Sequence, residues 1–244
     1  MIAKIVHFIF GLNSEFGGKP FHLIHNIAIK SAHEIIRPDK IFIYCNHEPE
    51  NNQYWNDIKS LVEIVKTEPP KEIFENPIEH YAHKADIIRL TKLIELGGIY
   101  LDIDTICINS FDNLLNNKFV MGIQQDRGLC NAIMMSEKNS DFCKLWFDTY
   151  RTFSIYEWDH HSVVTPMTLA TQYPDLITIL ATTAFFQPNF TEIDMIFDRF
   201  VDKSDDYACH LWESKSWDKY ITHIDENWIR NSDSTYGYYA KKYI

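Results

Sequence analysis

Residues 82–108 read AHKADIIRLTKLIELGGIYLDIDTICI. The stretch divides into a helix over His83 to Leu96, a stop at Gly97-Gly98 and a strand over Ile99 to Ile103. On the helix, Asp86 and Arg89 are three apart and share a face, while Ile87, Leu90 and Ile94 form an apolar stripe. Alone, that pair fits a surface ion pair on an amphipathic helix. In the strand, a period of two sets Tyr100, Asp102 and Asp104 on one side and Ile99, Leu101 and Ile103 on the other. Two carboxylates at the end of an apolar strand repel one another unless a cation neutralises them. Hard oxygen ligands suit Mg²⁺ or Mn²⁺, and an ion so held keeps open positions that a diphosphate can fill. Strand-end acids entering a turn are the plainer alternative.

Outward from this stretch, strands and helices alternate. Ile2 to Phe10 is β-rich, and Pro20 to Ile36 carries a helical pattern stopped by Pro38. Strands are expected at Ile41 to Tyr44, Val62 to Val65, Phe119 to Ile123 and Ala132 to Met135. Helices are expected at Tyr54 to Ser60, Asp141 to Phe153 and Val163 to Gln172, the last with Pro166 in its first turn. This order predicts an α/β sandwich with a mostly parallel sheet flanked by helices, and a ligand at the carboxyl ends of the strands. With 244 residues and no internal repeat or Gly/Ser linker, one domain is the expectation.

Composition excludes other classes. The net charge of −11, without a basic cluster, disfavours nucleic acid and anionic bilayers as partners. No run of about 18 apolar residues occurs, so no membrane span is expected. The opening MIAKIVHFIFGLN has one Lys and no small-residue cleavage site, which disfavours a signal peptide. Five scattered cysteines without a C-x-x-C pair point to reduced thiols in a cytoplasmic protein.

GGIYLDID, preceded by ADIIRL, resembles the sugar-binding D-x-D region of family 32 glycosyltransferases. That family includes yeast-type mannosyltransferases and capsular-polysaccharide enzymes, and the clostridial toxin glucosyltransferase domains carry a related version. IAKIVHFIFG is similar to the family's opening strand, with Phe10 where Trp is usual and Ala3 where Pro is usual. LCNAIMMSEKNSDF and ACHLWESKSW resemble its later N-x-x-x-x-S and H-x-W-x-x-S-W blocks.

The resemblance implies a Rossmann-like GT-A domain. Residues 1–125 would bind the nucleotide-sugar, and 126–244 would form the acceptor side and a C-terminal lid. It implies a metal-dependent, retaining transfer of a hexose from a nucleoside-diphosphate sugar, UDP-linked by preference, to a glycan or other hydroxyl. Asp102, Asp104, Arg89 and Asp86 would be the catalytic residues. Phe8, Phe10, Asp86, Arg89, Tyr100, Asp102, Asn131, Ser216 and Trp217 would bind the donor. Asp104, Asp102 and His210 would hold Mn²⁺ or Mg²⁺, with Asp104 the more direct ligand and Asp102 nearer the sugar. Ser216 and Trp217 would belong to a loop closing over the diphosphate.

Rival chemistry stays open. His80 and His83 with Asp86 have the spacing of a helical zinc set, hence a metal-dependent hydrolase, although no H-E-x-x-H is present. A non-catalytic sugar-nucleotide-binding module is the other alternative. His22 and His25 read as ordinary residues of an amphipathic helix, and His160-His161 as part of a polar loop.

Overall fold

The computed structural model describes residues 1–244, apart from the side chain of Asp126. The chain opens with β1 (Ile5–Ile9), α1 (Leu23–Ser31), β2 (Lys40–Cys45), α2 (Gln53–Ile58) and β3 (Glu63–Lys66). A small hairpin, β4 (Glu72–Ile73) with β5 (Asn76–Pro77), precedes α3 (Tyr81–Leu96), β6 (Gly98–Leu101) and β7 (Thr105–Cys107). Then come β8 (Phe119–Gln124), β9 (Gly128–Ser136), α4 (Asp141–Asp148), α5 (Thr165–Gln172) and β10 (Thr178–Leu180). The chain continues through α6 (Asp194–Phe197), β11 (Ala208–His210), α7 (Glu213–Ser216), α8 (Glu226–Asn231) and α9 (Thr235–Ala240).

Seven strands form the central sheet in the order β10-β8-β9-β6-β1-β2-β3. β9 alone runs antiparallel to its neighbours, so the expected mostly parallel α/β architecture holds. Alternate residues feed two cores. Val6, Phe8, Ile99, Leu101 and Ile133 pack on one side of the sheet, and Ile9, Tyr100, Met121 and Met134 on the other.

The α3–β6 corner is fixed by its glycines. Gly97 has φ +69°, and a Cβ there would stand 2.6 Å from the Lys138 nitrogen. Gly98 has φ +108°, and its Cβ would meet the Ile5 carbonyl at 2.6 Å. Only glycine fits both demands. His7 seals the corner from below: fully buried, it bonds the Gly97 carbonyl through Nε2 at 2.8 Å and the Tyr44 hydroxyl through Nδ1 at 2.9 Å. At the start of α3, Nδ1 of His80 accepts the Ala82 N–H at 3.1 Å, which caps the helix.

Several expectations need correction. The strand that opens the acidic segment stops at Leu101, two residues short of Ile103, and the chain turns at Asp102-Ile103-Asp104 before β7. The two acids therefore do not share a strand face. β7 leaves the main sheet and pairs antiparallel with β11, Thr105 opposite His210. The segment at 160–164 is a wide helical turn leading into α5, not a polar loop, and His161 is buried against Tyr150 and Phe153. Near the C-terminus Tyr236 and Tyr243 pack on the core, and Tyr238 is exposed. All five cysteines are free and buried. Among the described residues no helix is long and apolar enough to cross a membrane.

Candidate active site

The acids meet where β6 gives way to β7, at the carboxyl end of the sheet strand. Leu101 pairs with Ile133 of β9, and the next amide, that of Asp102, donates to the Ala132 carbonyl at 2.7 Å. The turn then lifts Asp104 to β11. There the Leu211 N–H donates to the Asp104 carbonyl at 2.9 Å, and the Glu213 N–H to its Oδ2 at 2.6 Å. Because Thr105 is registered with His210, the imidazole falls beside both carboxylates. Its Nε2 is 3.2 Å from Asp104 Oδ1 and 3.9 Å from Asp102 Oδ2.

Asp102, Asp104 and His210 each offer a donor atom, all within 4.8 Å of one another. Two oxygens and one imidazole nitrogen so spaced match donors about 2.1 Å from one Mn²⁺- or Mg²⁺-sized ion. The residues thus fit the implied metal. Electrostatics agree. Burial works to raise the Asp104 pKa, but His210 and the Glu213 amide outweigh it and hold the carboxyl down at about 2. Burial works to lower His210, and Asp104 overrides it, so the imidazole is raised above its ordinary value. Asp102 is raised, by burial and by the Asp104 charge, against the pull of Arg89.

Arg89 sits behind the acids. Its Nη2 lies 3.3 Å from Asp102 and 3.7 Å from Asp86, and its Nη1 donates to the Asn131 carbonyl at 2.9 Å. The guanidinium also covers the Tyr100 ring at 4.5 Å, while the Tyr100 hydroxyl donates to Asp102 at 2.6 Å. Asn131 turns its amide to Asp86 at 2.7 Å. Burial alone would favour neutral Arg89, yet Asp102, Tyr100 and Asp86 keep it firmly cationic. Its Nε is buried without a protein partner.

Two adjoining cavities serve these groups. A cleft of about 570 Å³ is walled by Arg89, Tyr100, Asp102, Asp104, His210 and Trp158, among others. A smaller one of about 200 Å³ lies at the end of β1, lined by Phe10, Phe16, Asn13 and Ile103.

Of the residues picked out in the sequence, the structure gathers Asp86, Arg89, Tyr100, Asp102, Asp104, Asn131 and His210 into one centre. Phe10 stands in the adjoining small cavity. Phe8 does not reach either cavity: it lies two residues deeper in the sheet, fully buried in the core. Ser216 is likewise fully buried, its Oγ donating to the carbonyls of Leu211 and Trp212. Trp217 stacks on His25 at 6.3 Å rather than facing the acids. The zinc alternative fails on geometry. His80 caps α3, His83 bonds the Trp158 carbonyl at 3.1 Å, and Asp86 is taken by Asn131 and Arg89. Among the described residues these three do not gather as a metal cluster, whereas Glu157, His160 and His161 do.

Lys19, Glu213 and His25 adjoin the site, and of these His25 alone stood in a spacing that drew notice. His25 is fully buried, and its Nδ1 accepts the His22 N–H at 3.0 Å, so the proton sits on Nε2 and is donated to Glu213 at 2.8 Å. The H-x-x-H spacing was the visible signal, and it marks a helix cap, not a ligand pair.

Residues 25–120 match the family described as the glycosyltransferase sugar-binding region containing the DXD motif. The whole chain is 31% identical, over 264 aligned positions, to Glucan organizing enzyme 1 of Cryptococcus neoformans var. grubii, and spans 71% of that protein. Among solved structures it is similar to the apo glycosyltransferase GlyE of Streptococcus pneumoniae TIGR4. The TM-score is 0.56 at 14% identity, over 99% of this chain and 63% of that one. Mouse xyloside xylosyltransferase 1, also apo, gives 0.54 at 8% identity, over 88% and 99%. These two likenesses bear on the fold, which is of the GT-A type. Taken with the D-x-D turn and the relative that matches the whole of this chain, the chain belongs to the glycosyltransferases whose sugar-binding region contains the DXD motif.

Proposed function

We propose that this glycosyltransferase moves a hexose from a UDP-sugar to a hydroxyl of a glycan, with retention at the anomeric carbon and with Mn²⁺ or Mg²⁺ held by Asp104, Asp102 and His210. The observation that carries it is the convergence of those three donors beside the buried Arg89, next to a small apolar cavity. At about 200 Å³, that cavity has room for a nucleobase. Phe10 offers it an aromatic wall.

A divalent ion at this place neutralises the leaving diphosphate as a Lewis acid. The chain's own groups do the rest. Arg89 lines the cleft and offers its guanidinium edge to sugar hydroxyls, as a charge-assisted donor. Asp86 and Asn131 hold that guanidinium in place and reach the sugar through it. Asp102, fixed by Tyr100 and Arg89, lies on the sugar side of Asp104. The path we favour is front-face attack, with the leaving phosphate taking the acceptor's proton, over a covalent carboxylate intermediate. Donor binding spans both halves of the chain, since Asn131 and His210 lie beyond residue 125. The glycan acceptor is in keeping with the name of the fungal relative.

The test is calorimetric titration of UDP-glucose, UDP-galactose and GDP-mannose, with Mn²⁺ and after chelation. A UDP-sugar that binds only with the ion, and is then consumed when an acceptor glycan is supplied, supports the proposal. Equal binding after chelation would sink the metal, and exclusive GDP-mannose binding would sink the UDP donor.

A further inference from the structure

The two cavities meet at a neck. Among the described residues, the side chains lining both that carry a charge are Lys19 and Glu213. Lys19 Nζ stands 3.3 Å from Glu213 Oε2, and the second oxygen, Oε1, accepts from the buried His25 at 2.8 Å. Glu213 also lends its backbone N–H to Asp104, so the neck touches the proposed metal seat. Arg89, by contrast, is committed to Asp86 and Asp102.

A donor with its base in the small cavity and its sugar at Arg89 must thread its diphosphate through this neck. A carboxylate there repels it, and the ammonium is engaged by that carboxylate. Lys19 follows Gly17 and Gly18, which have φ of +65° and +77° and open space where a Cβ would be. The lysine's long stem lets its ammonium turn from one acceptor to another without moving the backbone.

We propose that Lys19 is a diphosphate-binding residue that exchanges partners, leaving the Glu213 carboxylate for the donor's phosphates, and that Glu213 is the competitor it leaves. This rests on the nucleoside-diphosphate donor proposed above. The exchange gives the two residues opposite signs: Lys19 favours phosphate, and Glu213 opposes it by repulsion and by occupying the lysine. The His25 Nε2–H can donate to Glu213 Oε1 in both states, and to the amide oxygen of a Glu213→Gln variant.

The experiment compares UDP with uridine, which has the base and ribose but no phosphate, on the full chain in the presence of Mn²⁺. Lys19→Met is expected to weaken UDP about tenfold, as for one charge-assisted bond, and to leave uridine within about twofold. Glu213→Gln is expected to tighten UDP and leave uridine unchanged. Lys19→Arg, which keeps the charge, is expected to restore UDP affinity, and thermal melts confirm that each variant is folded. Equal losses of UDP and uridine in Lys19→Met would make Lys19 a wall of the base cavity and overturn the exchange. So would native UDP affinity in Lys19→Met, or weaker UDP binding in Glu213→Gln. If wild-type protein fails to bind UDP at all, the donor itself is wrong and the exchange falls with it. If wild type binds UDP but Lys19→Met is unaffected, only the exchange is lost.

Discussion

His210 and Asp104 are 106 residues apart in the chain, yet Nε2 of one lies 3.2 Å from Oδ1 of the other. The contact is set by the β7–β11 register, with Thr105 opposite His210. It predicts that Asp104→Asn keeps the fold, because the amide oxygen can still accept the Glu213 N–H. The variant should lose measurable Mn²⁺ binding and about 10²–10³ in transfer rate. Near-native turnover in a folded variant would remove Asp104 from its assigned role.

Metal affinity should depend on pH through the same pair. His210 must be neutral to ligate, and Asp104 raises its pKa above the ordinary histidine value. Protons therefore compete with the ion below that pKa, while Asp104, held at about 2, stays ionised. Affinity should rise with pH, by about tenfold per unit on the acid side, and level off once His210 is neutral. Mn²⁺ titrations between about pH 5.5 and 8.5, in buffers of different ionisation enthalpy, read both the trend and the released proton. A flat profile would exclude His210 as a ligand.

Arg89→Lys keeps the charge but loses the planar fork that spans Asp86, Asp102 and the Asn131 carbonyl. Affinity for UDP-sugar should fall about tenfold, and affinity for UDP much less. Parallel titrations of the two ligands decide it, and equal losses would place Arg89 on the diphosphate. Arg89→Ala is the poorer probe, since stripping a buried cation from its partners costs about 3–5 kcal/mol in stability.

Folding stability should fall in mild acid because of His7. Burial depresses its pKa from 6.5 to about 4. Between those values the unfolded chain binds the extra proton and the folded one does not, so stability is complete above about 6.5 and is lost as pH falls toward 4. The full effect is on the order of 3 kcal/mol. Urea midpoints against pH should slope in wild type and flatten in His7→Gln, though not wholly, because His22 is lowered to about 4 as well. An unchanged slope in His7→Gln would assign the titration elsewhere.

What the sequence made legible was local. The α3–Gly–Gly–β6 unit, the facing of Asp86 with Arg89, and the alternation of Tyr100 with Ile99 and Leu101 all follow from short periods. Long-range pairing was out of reach. Nothing near Asp104 announces that β7 quits the main sheet for β11, and the period-two extrapolation through Asp102 to Asp104 failed at that turn. The later H-x-W-x-x-S-W block pointed to His210 by resemblance, and the imidazole does lie beside the two acids. The same resemblance put Ser216 toward the donor, where the fold instead uses its hydroxyl to bond Leu211 and Trp212. Phe8 failed for a simpler reason: alternation gives the side of a sheet, not the depth at which a residue stops being reachable. Lys19 and Glu213 were invisible because isolated charges in polar segments carry no pattern.

The β7–β11 pairing also governs when the proposed metal seat can first exist during synthesis. A ribosome that has released residues up to about 200 has already supplied every strand of the central sheet, together with Asp86, Arg89, Asp102, Asp104 and Asn131. It has not supplied His210, or the amide of Glu213 that steadies Asp104. A nascent chain of that length holds its acids without their clasp. The proposed metal seat is therefore complete only once the short β11 strand has docked.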